Sequence, residues 1–328
     1  MTTFDQVNLP YEGTVPSLDG ATEWLNSPPL TPASLRGRVA LFDFCTYTCI
    51  NWLRTLPYIR AWSEKYKEQG LVVIGVHTPE FSFEHDLANV RRALERRGID
   101  YPVAIDNDYA VWGAFDNNYW PALYLVDAEG SIRYHHFGEG RYEDSELAIQ
   151  QLIAETGAHV EGGLVSVDPK GDEVQAAWED LKSPETYLGY ERTESFASPG
   201  GASLGRARSY ELPAQLKRNQ WGLSGEWTVI RDAIVSNEPG ARLAHRFHAR
   251  DVNLVMGPRS EGTIAFRVTI DGREPGASHG ADVDEHGTGI LREPRMYQLV
   301  RQAGDVAERT FEVTFADRGM SGYSFTFG

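Results

Sequence analysis

The chain has 328 residues, 41% hydrophobic and 24% charged, which suffices for two domains that each bury a core without metal or disulfide support. A net charge of −16 with no large Lys/Arg cluster opposes binding to nucleic acid or to anionic lipid. The opening stretch MTTFDQVNLPYEGTVPSLDG lacks a basic and an apolar export segment, and no later apolar run reaches the ~18 residues that span a bilayer, so the sequence reads as cytoplasmic.

In chain order, Val39 to Phe44 is an apolar run that suits a buried central strand. The next helix begins near Cys49, carries Ile50, Leu53 and Leu56 on one side, continues through Trp62 and Tyr66, and ends before Gly70, with a kink expected at Pro57. Leu71 to Thr78 is a second apolar strand. Leu87, Val90 and Leu94 have helical spacing, and Gly98 stands where a C-terminal cap belongs. YPVAID reads as a short strand and Tyr109 to Phe115 as a short helix. Trp120 to Asp127 and Ser131 to Gly138 flank the Glu129-Gly130 turn as an antiparallel hairpin, and a helix over about Glu143 to Thr156 follows. Strands alternating with helices and closed by a hairpin describe an α/β thioredoxin-like fold, a mixed sheet flanked by helices, over residues 1–160.

Residues 161–185 are rich in Gly, Pro and charge and read as a linker. Within it Val174, Ala177, Trp178 and Leu181 have the spacing of one short docking helix. Beyond it, over residues 186–328, the period changes to two: Ile264, Phe266, Val268 and Ile270 alternate with Ala265, Arg267, Thr269 and Asp271. The pattern recurs at Phe311, Val313 and Phe315 and at Tyr323, Phe325 and Phe327, so an all-β sandwich of jelly-roll type is expected.

The two cysteines of the chain, Cys45 and Cys49, fall together in ALFDFCTYTCINWLRTLPY (residues 40–58). In a reducing compartment such a pair points to redox chemistry rather than a structural staple. A cysteine at a helix N-terminus is biased toward its thiolate by unpaired backbone N–H groups, which makes Cys49 the candidate nucleophile. A C-x-x-C motif would place a second thiol at position 52, but Trp52 stands there, so the dithiol cycle through 49 and 52 is excluded. Cys45 is either a substitute resolving thiol, which needs a Cα separation of about 4.4–6.8 Å, or a core residue.

Thr46-Tyr47-Thr48-Cys49 also supplies the T-x-x-C of a thiol peroxidase, in which Thr46 would orient a peroxide and Cys49 would pass through a sulfenic acid. The plainer reading of Thr46 is a helix cap.

Other polar groupings read as structure. His135-His136 and His245-x-x-His248 each point to opposite faces of a strand, DVDEHG (residues 282–287) lacks the spacing of an EF-hand, and no metal or cofactor is expected.

The segments TYTCIN, LRTLPY, GLVVIGVHTPEF, YPVAIDNDYAVW, NNYWPALYLVD and HHFGEG together resemble the TlpA/DipZ-like thioredoxin-fold proteins, also called redoxin-domain proteins, over about residues 30–155. From ETYLGYERTESFASPGG onward the chain looks like the carbohydrate-binding-module-like β-sandwich that follows the thioredoxin domain in DipZ-type proteins. The resemblance puts Cys49 on the nucleophile of the family's CINC motif, Trp52 on its resolving cysteine, and Cys45 where the family has Trp. It puts Pro121 on the cis-proline that faces the active site, with neighbouring backbone able to pair with a bound thiol substrate.

The expected function is a thiol-dependent oxidoreductase with Trp52, Tyr47 and Trp120 walling the site around Pro121. Its substrate is a disulfide-containing protein, a small thiol or a peroxide, and an external thiol is its reductant. In the β domain Trp221, Trp227, Tyr187 and Tyr190 either stack on a carbohydrate ligand or fill the core. The alternative is a thioredoxin scaffold without turnover, joined to a glycan- or protein-binding sandwich.

Overall fold

The structure is a computed structural model that describes residues 8–160 and 162–328. Part of the stretch read for an export signal, residues 1–7, lies outside the described residues. Two compact units divide between Glu173 and Val174.

The first unit contains β1 (Gly13–Thr14), β2 (Glu23–Leu25), β3 (Val39–Cys45), α1 (Ile50–Tyr66), β4 (Leu71–His77), α2 (Leu87–Arg97), β5 (Val103–Ile105), α3 (Ala110–Ala114), β6 (Ala122–Val126), β7 (Ser131–Phe137) and α4 (Tyr142–Glu155). Its sheet runs β1-β7-β6-β3-β4-β5-β2, with β3, β4 and β5 parallel and β6 and β7 antiparallel. This mixed sheet is the thioredoxin-like arrangement.

β3 lies between β4 and β6 and is buried throughout. Side chains alternate across a strand, so Ala40, Phe42 and Phe44 enter one core layer with Ile74, Val76, Phe115 and Tyr124. Asp43 and Cys45 therefore face the opposite layer, where the Trp52 indole of α1 meets Asp43.

α1 passes through Pro57 without a break, although the ring nitrogen cannot donate to the carbonyl of Leu53. α2 is closed at both ends as its sequence predicts. Asp86 accepts from the amides of Ala88 and Asn89, and Gly98 takes the left-handed conformation (φ 63°) that lets its N–H reach the carbonyls of Leu94 and Glu95. α4 supplies Glu146, a buried carboxylate that accepts from Trp62 Nε1, Tyr66 Oη and Lys65 Nζ of α1 and from the amide of Val165.

The segment after α4 stays with this unit through ion pairs of Arg60 with Glu173 (2.8 Å) and of Arg97 with Asp172 (2.6 Å). The docking helix expected over Val174 to Leu181 does not form. A 3-10 turn covers Gly171–Glu173, and the following residues make only a turn from Ala177 to Asp180 with Trp178 exposed. Eight residues of helical spacing are too few to form a helix without an apolar face to pack on.

The second unit is all β: β8 (Thr186–Tyr187), β9 (Ala207–Tyr210), β10 (Trp221–Val229), β11 (Ile234–Ser236), β12 (Arg242–His248), β13 (Asp251–Pro258), β14 (Ile264–Ile270), β15 (Thr288–Leu291), β16 (Arg295–Arg301), β17 (Glu308–Phe315) and β18 (Met320–Phe327). The strands form one long sheet in the order β15-β14-β17-β12-β10-β11-β18-β13-β16. β10 joins its two halves: Trp221 to Ser224 pair with β12, and Trp227 to Val229 pair with β11. The sheet curls so that residues of both halves, among them Leu243, Val313 and Phe315 on one side and Leu254, Leu299 and Phe325 on the other, share a single core.

Candidate active site

Cys49 is the N-cap of α1. Its amide donates to the carbonyl of Thr46 (3.1 Å), and its own carbonyl receives the amide of Leu53 (3.0 Å). The turn Thr46 to Cys49 thus connects the end of the central strand to the first turn of the helix. The Cys49 side chain is half-buried, and its thiol lies 3.8 Å from the carbonyl oxygen of Trp120, the residue joined to Pro121 by a cis peptide bond. Trp120 is half-buried, packs against Trp112 at 4.4 Å, and precedes β6, which pairs with β3. Two neighbours in the sheet therefore present Cys49 and the Trp120-Pro121 backbone to the same place.

The other residues expected at the site lie beneath this surface. Cys45 ends β3, is 2% exposed, and directs its thiol to the carbonyl of Val76 (3.6 Å); both cysteines carry thiols. Burial, with Asp43, Cys49 and Glu84 adding negative potential, pushes the Cys45 thiol well above its ordinary range.

Trp52 does not wall a groove: it is 1% exposed and turns inward, donating through Nε1 to Asp43 Oδ2 at 2.9 Å. An indole follows its apolar area into the core once a buried acceptor satisfies its N–H. Tyr47 is likewise buried and stacks on His77 at 5.6 Å. Thr46 is fully buried and faces the Glu84 carboxyl without meeting hydrogen-bond geometry, so its hydroxyl is not offered to a peroxide at the surface.

Three buried ionisable groups that sequence reasoning missed support this turn. Burial raises the carboxyl of Asp43 from 3.8 to about 7, with the Trp52 N–H partly offsetting it. Glu84, fully buried, accepts from Thr48 Oγ1 (2.6 Å) and from the amides of Glu80 and Phe81 (2.7 and 2.8 Å); burial raises it too, to about 7. His77 pairs in register with Cys45, and burial lowers it to about 3, so it is neutral at physiological pH. Asp43 had a signal, a single charge inside an apolar strand. Glu84 had none, because its partner Thr48 lies 36 residues earlier in the chain. Arg54, which follows the motif on α1, is buried and paired with Glu139 at 3.0 Å.

In the second unit Trp221 and Trp227 are 1% and 0% exposed, and their indole nitrogens donate to the carbonyls of Glu194 and Ser224. Neither has a face for a sugar ring, which corrects the stacking role: both close the core where β10 joins the two halves of the sheet. The Tyr187 ring lies under the Arg192 guanidinium at 3.3 Å, and Tyr190 is exposed. His135 bonds to Glu12 and His136 to the Glu139 carbonyl, while His245 is buried against Thr186 and His248 bonds to the Asp180 carbonyl. Asp282 pairs with Arg295 and Asp284 caps its own turn. Among the described residues no cluster of His, Cys, Asp and Glu could hold a metal ion.

Comparison with known proteins agrees with this division. The family described as Redoxin matches residues 29–152, and the family described as thioredoxin-like C-terminal domain matches residues 183–328. Protein DipZ of Mycobacterium tuberculosis (strain CDC 1551 / Oshkosh) is 37% identical over 320 residues, covering 96% of this chain and 43% of DipZ. Thiol-disulfide oxidoreductase YkuV of Bacillus subtilis (strain 168) is 28% identical over 142 residues, 43% of this chain and 95% of YkuV. A thioredoxin-like protein solved in solution in its oxidized form is 28% identical, covers 44% of this chain and 96% of its own, and has a TM-score of 0.41. The chain spans less than half the length of DipZ. Among the described residues no helix is long and apolar enough to cross a membrane. The chain is therefore similar to the Redoxin family over residues 29–152 and, following it, to the thioredoxin-like C-terminal domain family over residues 183–328.

Proposed function

We propose that the first unit is a thiol-disulfide oxidoreductase whose attacking group is the Cys49 thiolate, acting on disulfides of proteins or of low-molecular-weight thiols. The observation that carries this reading is the half-buried Cys49 sulfur at the N-cap of α1, beside the Trp120 carbonyl and Pro121. The first turn of a helix presents amide N–H groups that favour an anion, and the thiolate is the form that attacks a disulfide. With the Trp120 carbonyl 3.8 Å from the Cys49 sulfur, a disulfide attacked by that sulfur would lie against the Trp120-Pro121 backbone. In the reaction Cys49 S⁻ attacks one sulfur of R–S–S–R; the Cys49–S–S–R bond forms, the substrate S–S bond breaks, and the second half leaves as R–S⁻.

The similarity of residues in the first unit to thiol-disulfide oxidoreductase YkuV supports the same chemistry. The buried position of Thr46 favours a disulfide over a peroxide as substrate. A scaffold without turnover would be expected to hold its two cysteines alike, whereas Cys45 is buried and Cys49 is half-buried.

The test is alkylation of the native chain by iodoacetamide with peptide-level readout, alongside reduction of a disulfide-linked fluorogenic peptide. Cys49 is expected to label well ahead of Cys45, and Cys49→Ser to abolish reduction. Slow and equal labelling of both thiols would end this reading.

A further inference from the structure

The chain contains two cysteines, and the structure separates their chemistry. Once Cys49 has formed a mixed disulfide, a second thiolate must attack it to release product. Cys45 is poorly placed to do so. It is the last residue of the central strand, in register with His77, and its carbonyl receives the amide of Thr78 at 2.9 Å. Its sulfur is buried against the carbonyl of Val76. To attack at Cys49 it would have to turn from the Val76 carbonyl within a packed interior, and burial together with the nearby Asp43, Cys49 and Glu84 disfavours the thiolate it would need. The other position from which a resolving thiol would act, residue 52, holds an indole that is buried and bonded to Asp43.

From these positions we infer that the Cys49 mixed disulfide is resolved from outside the chain, with S-thiolated Cys49 as the accumulating intermediate and a low-molecular-weight thiol as obligatory second substrate. The inference rests on the oxidoreductase reading above and adds its second half-reaction. In that step R′–S⁻ attacks the substrate-derived sulfur of Cys49–S–S–R. The new R–S–S–R′ bond forms, the bond to Cys49 breaks, and Cys49 leaves as the thiolate that began the cycle. Summed over both steps, R–S–S–R and R′–S⁻ become R–S⁻ and R–S–S–R′: the R′ thiolate is the one reductant consumed, the released R–S⁻ is the sulfur reduced, and the protein returns unchanged.

The site fits this division. Cys49 and Trp120 are each half-buried residues that keep part of their surface open to solvent, while the polar groups nearby, Asp43, Cys45, Thr46, His77 and Glu84, are all buried.

The test uses the full chain with oxidised glutathione as probe, quenched in acid and read by intact mass. The expected product is a single glutathione adduct on Cys49 that persists until reduced glutathione is added, with turnover of an S-glutathionylated peptide rising in proportion to reduced glutathione. Its lifetime should be the same in Cys45→Ala. Decay of the wild-type adduct, without added thiol, to a protein lighter than the reduced chain by two hydrogens would overturn the inference and leave the oxidoreductase reading standing. So would turnover independent of reduced glutathione. Absence of any adduct, with both cysteines alkylating slowly and alike, would overturn both.

Discussion

Replacing Asp43 with asparagine measures what one buried carboxyl does to the stability of this fold. In the unfolded chain the group ionises near its ordinary 3.8, whereas burial in the folded chain raises it to about 7. Below 3.8 both states are protonated and the folded state carries no penalty. As pH rises toward 7 the unfolded chain releases its proton first, so stability falls through that window and stays low above it. At about 1.4 kcal/mol per pH unit, the gap corresponds to about 4 kcal/mol at most.

Asparagine keeps an oxygen that accepts the Trp52 N–H and does not ionise. Its amide also faces the side of Asp43 where Oδ1 has no hydrogen-bond partner, a cost of about 1–3 kcal/mol that does not vary with pH. The diagnostic quantity is therefore the change in ΔΔG with pH rather than its sign at any single pH. Urea denaturation of wild type and Asp43→Asn should give a difference that moves in the variant's favour by up to about 4 kcal/mol between about pH 4 and pH 8. Glu84 titrates over the same range in both proteins and cancels to the extent that the two sites are independent. A difference that is flat across this range would show that Asp43 is not desolvated in the folded state, and the account of the buried layer would fail.

Trp52→Cys should convert the site to a dithiol. Loss of the indole is expected to cost about 3–5 kcal/mol in urea, and the Cys49 glutathione adduct should become transient as a 49–52 disulfide replaces it; an adduct as long-lived as that of wild type would contradict the placement of residue 52. Glu146→Leu removes one acceptor shared by Trp62, Lys65, Tyr66 and Val165 and should destabilise the first unit by about 3 kcal/mol, and a loss below about 1 kcal/mol would mean that the network contributes little. Trp221→Ala should destabilise the second unit by about 3–5 kcal/mol, read by urea unfolding followed by circular dichroism. Unchanged stability would place that indole at the surface after all.

Period and punctuation carried much of the architecture. The apolar run at Val39 predicted the central strand, Asp86 and Gly98 bounded α2, and the change to period two beyond residue 186 announced a second, all-β unit, because these signals are local. The Val174 to Leu181 spacing was local as well and failed, since a helical pattern needs a surface to pack on. At the site, chain position placed Cys49 at the start of its helix but could not show which way an aromatic side chain turns. Trp52 and Tyr47 turned inward because an acceptor and an imidazole wait there, contributed by strands β3 and β4. Trp221 and Trp227 entered the core for the same reason, each meeting a backbone carbonyl there. Glu84 was illegible because no spacing rule links it to Thr48.

The pairing of Trp52 with Asp43 has an evolutionary corollary. Tryptophan and cysteine codons differ only at the third base, so a single transversion would install a thiol above a carboxyl already perched near neutrality. Dithiol and monothiol chemistry are thus genetic neighbours in this scaffold, and a lineage could cross between them without rebuilding the strand that holds the acid.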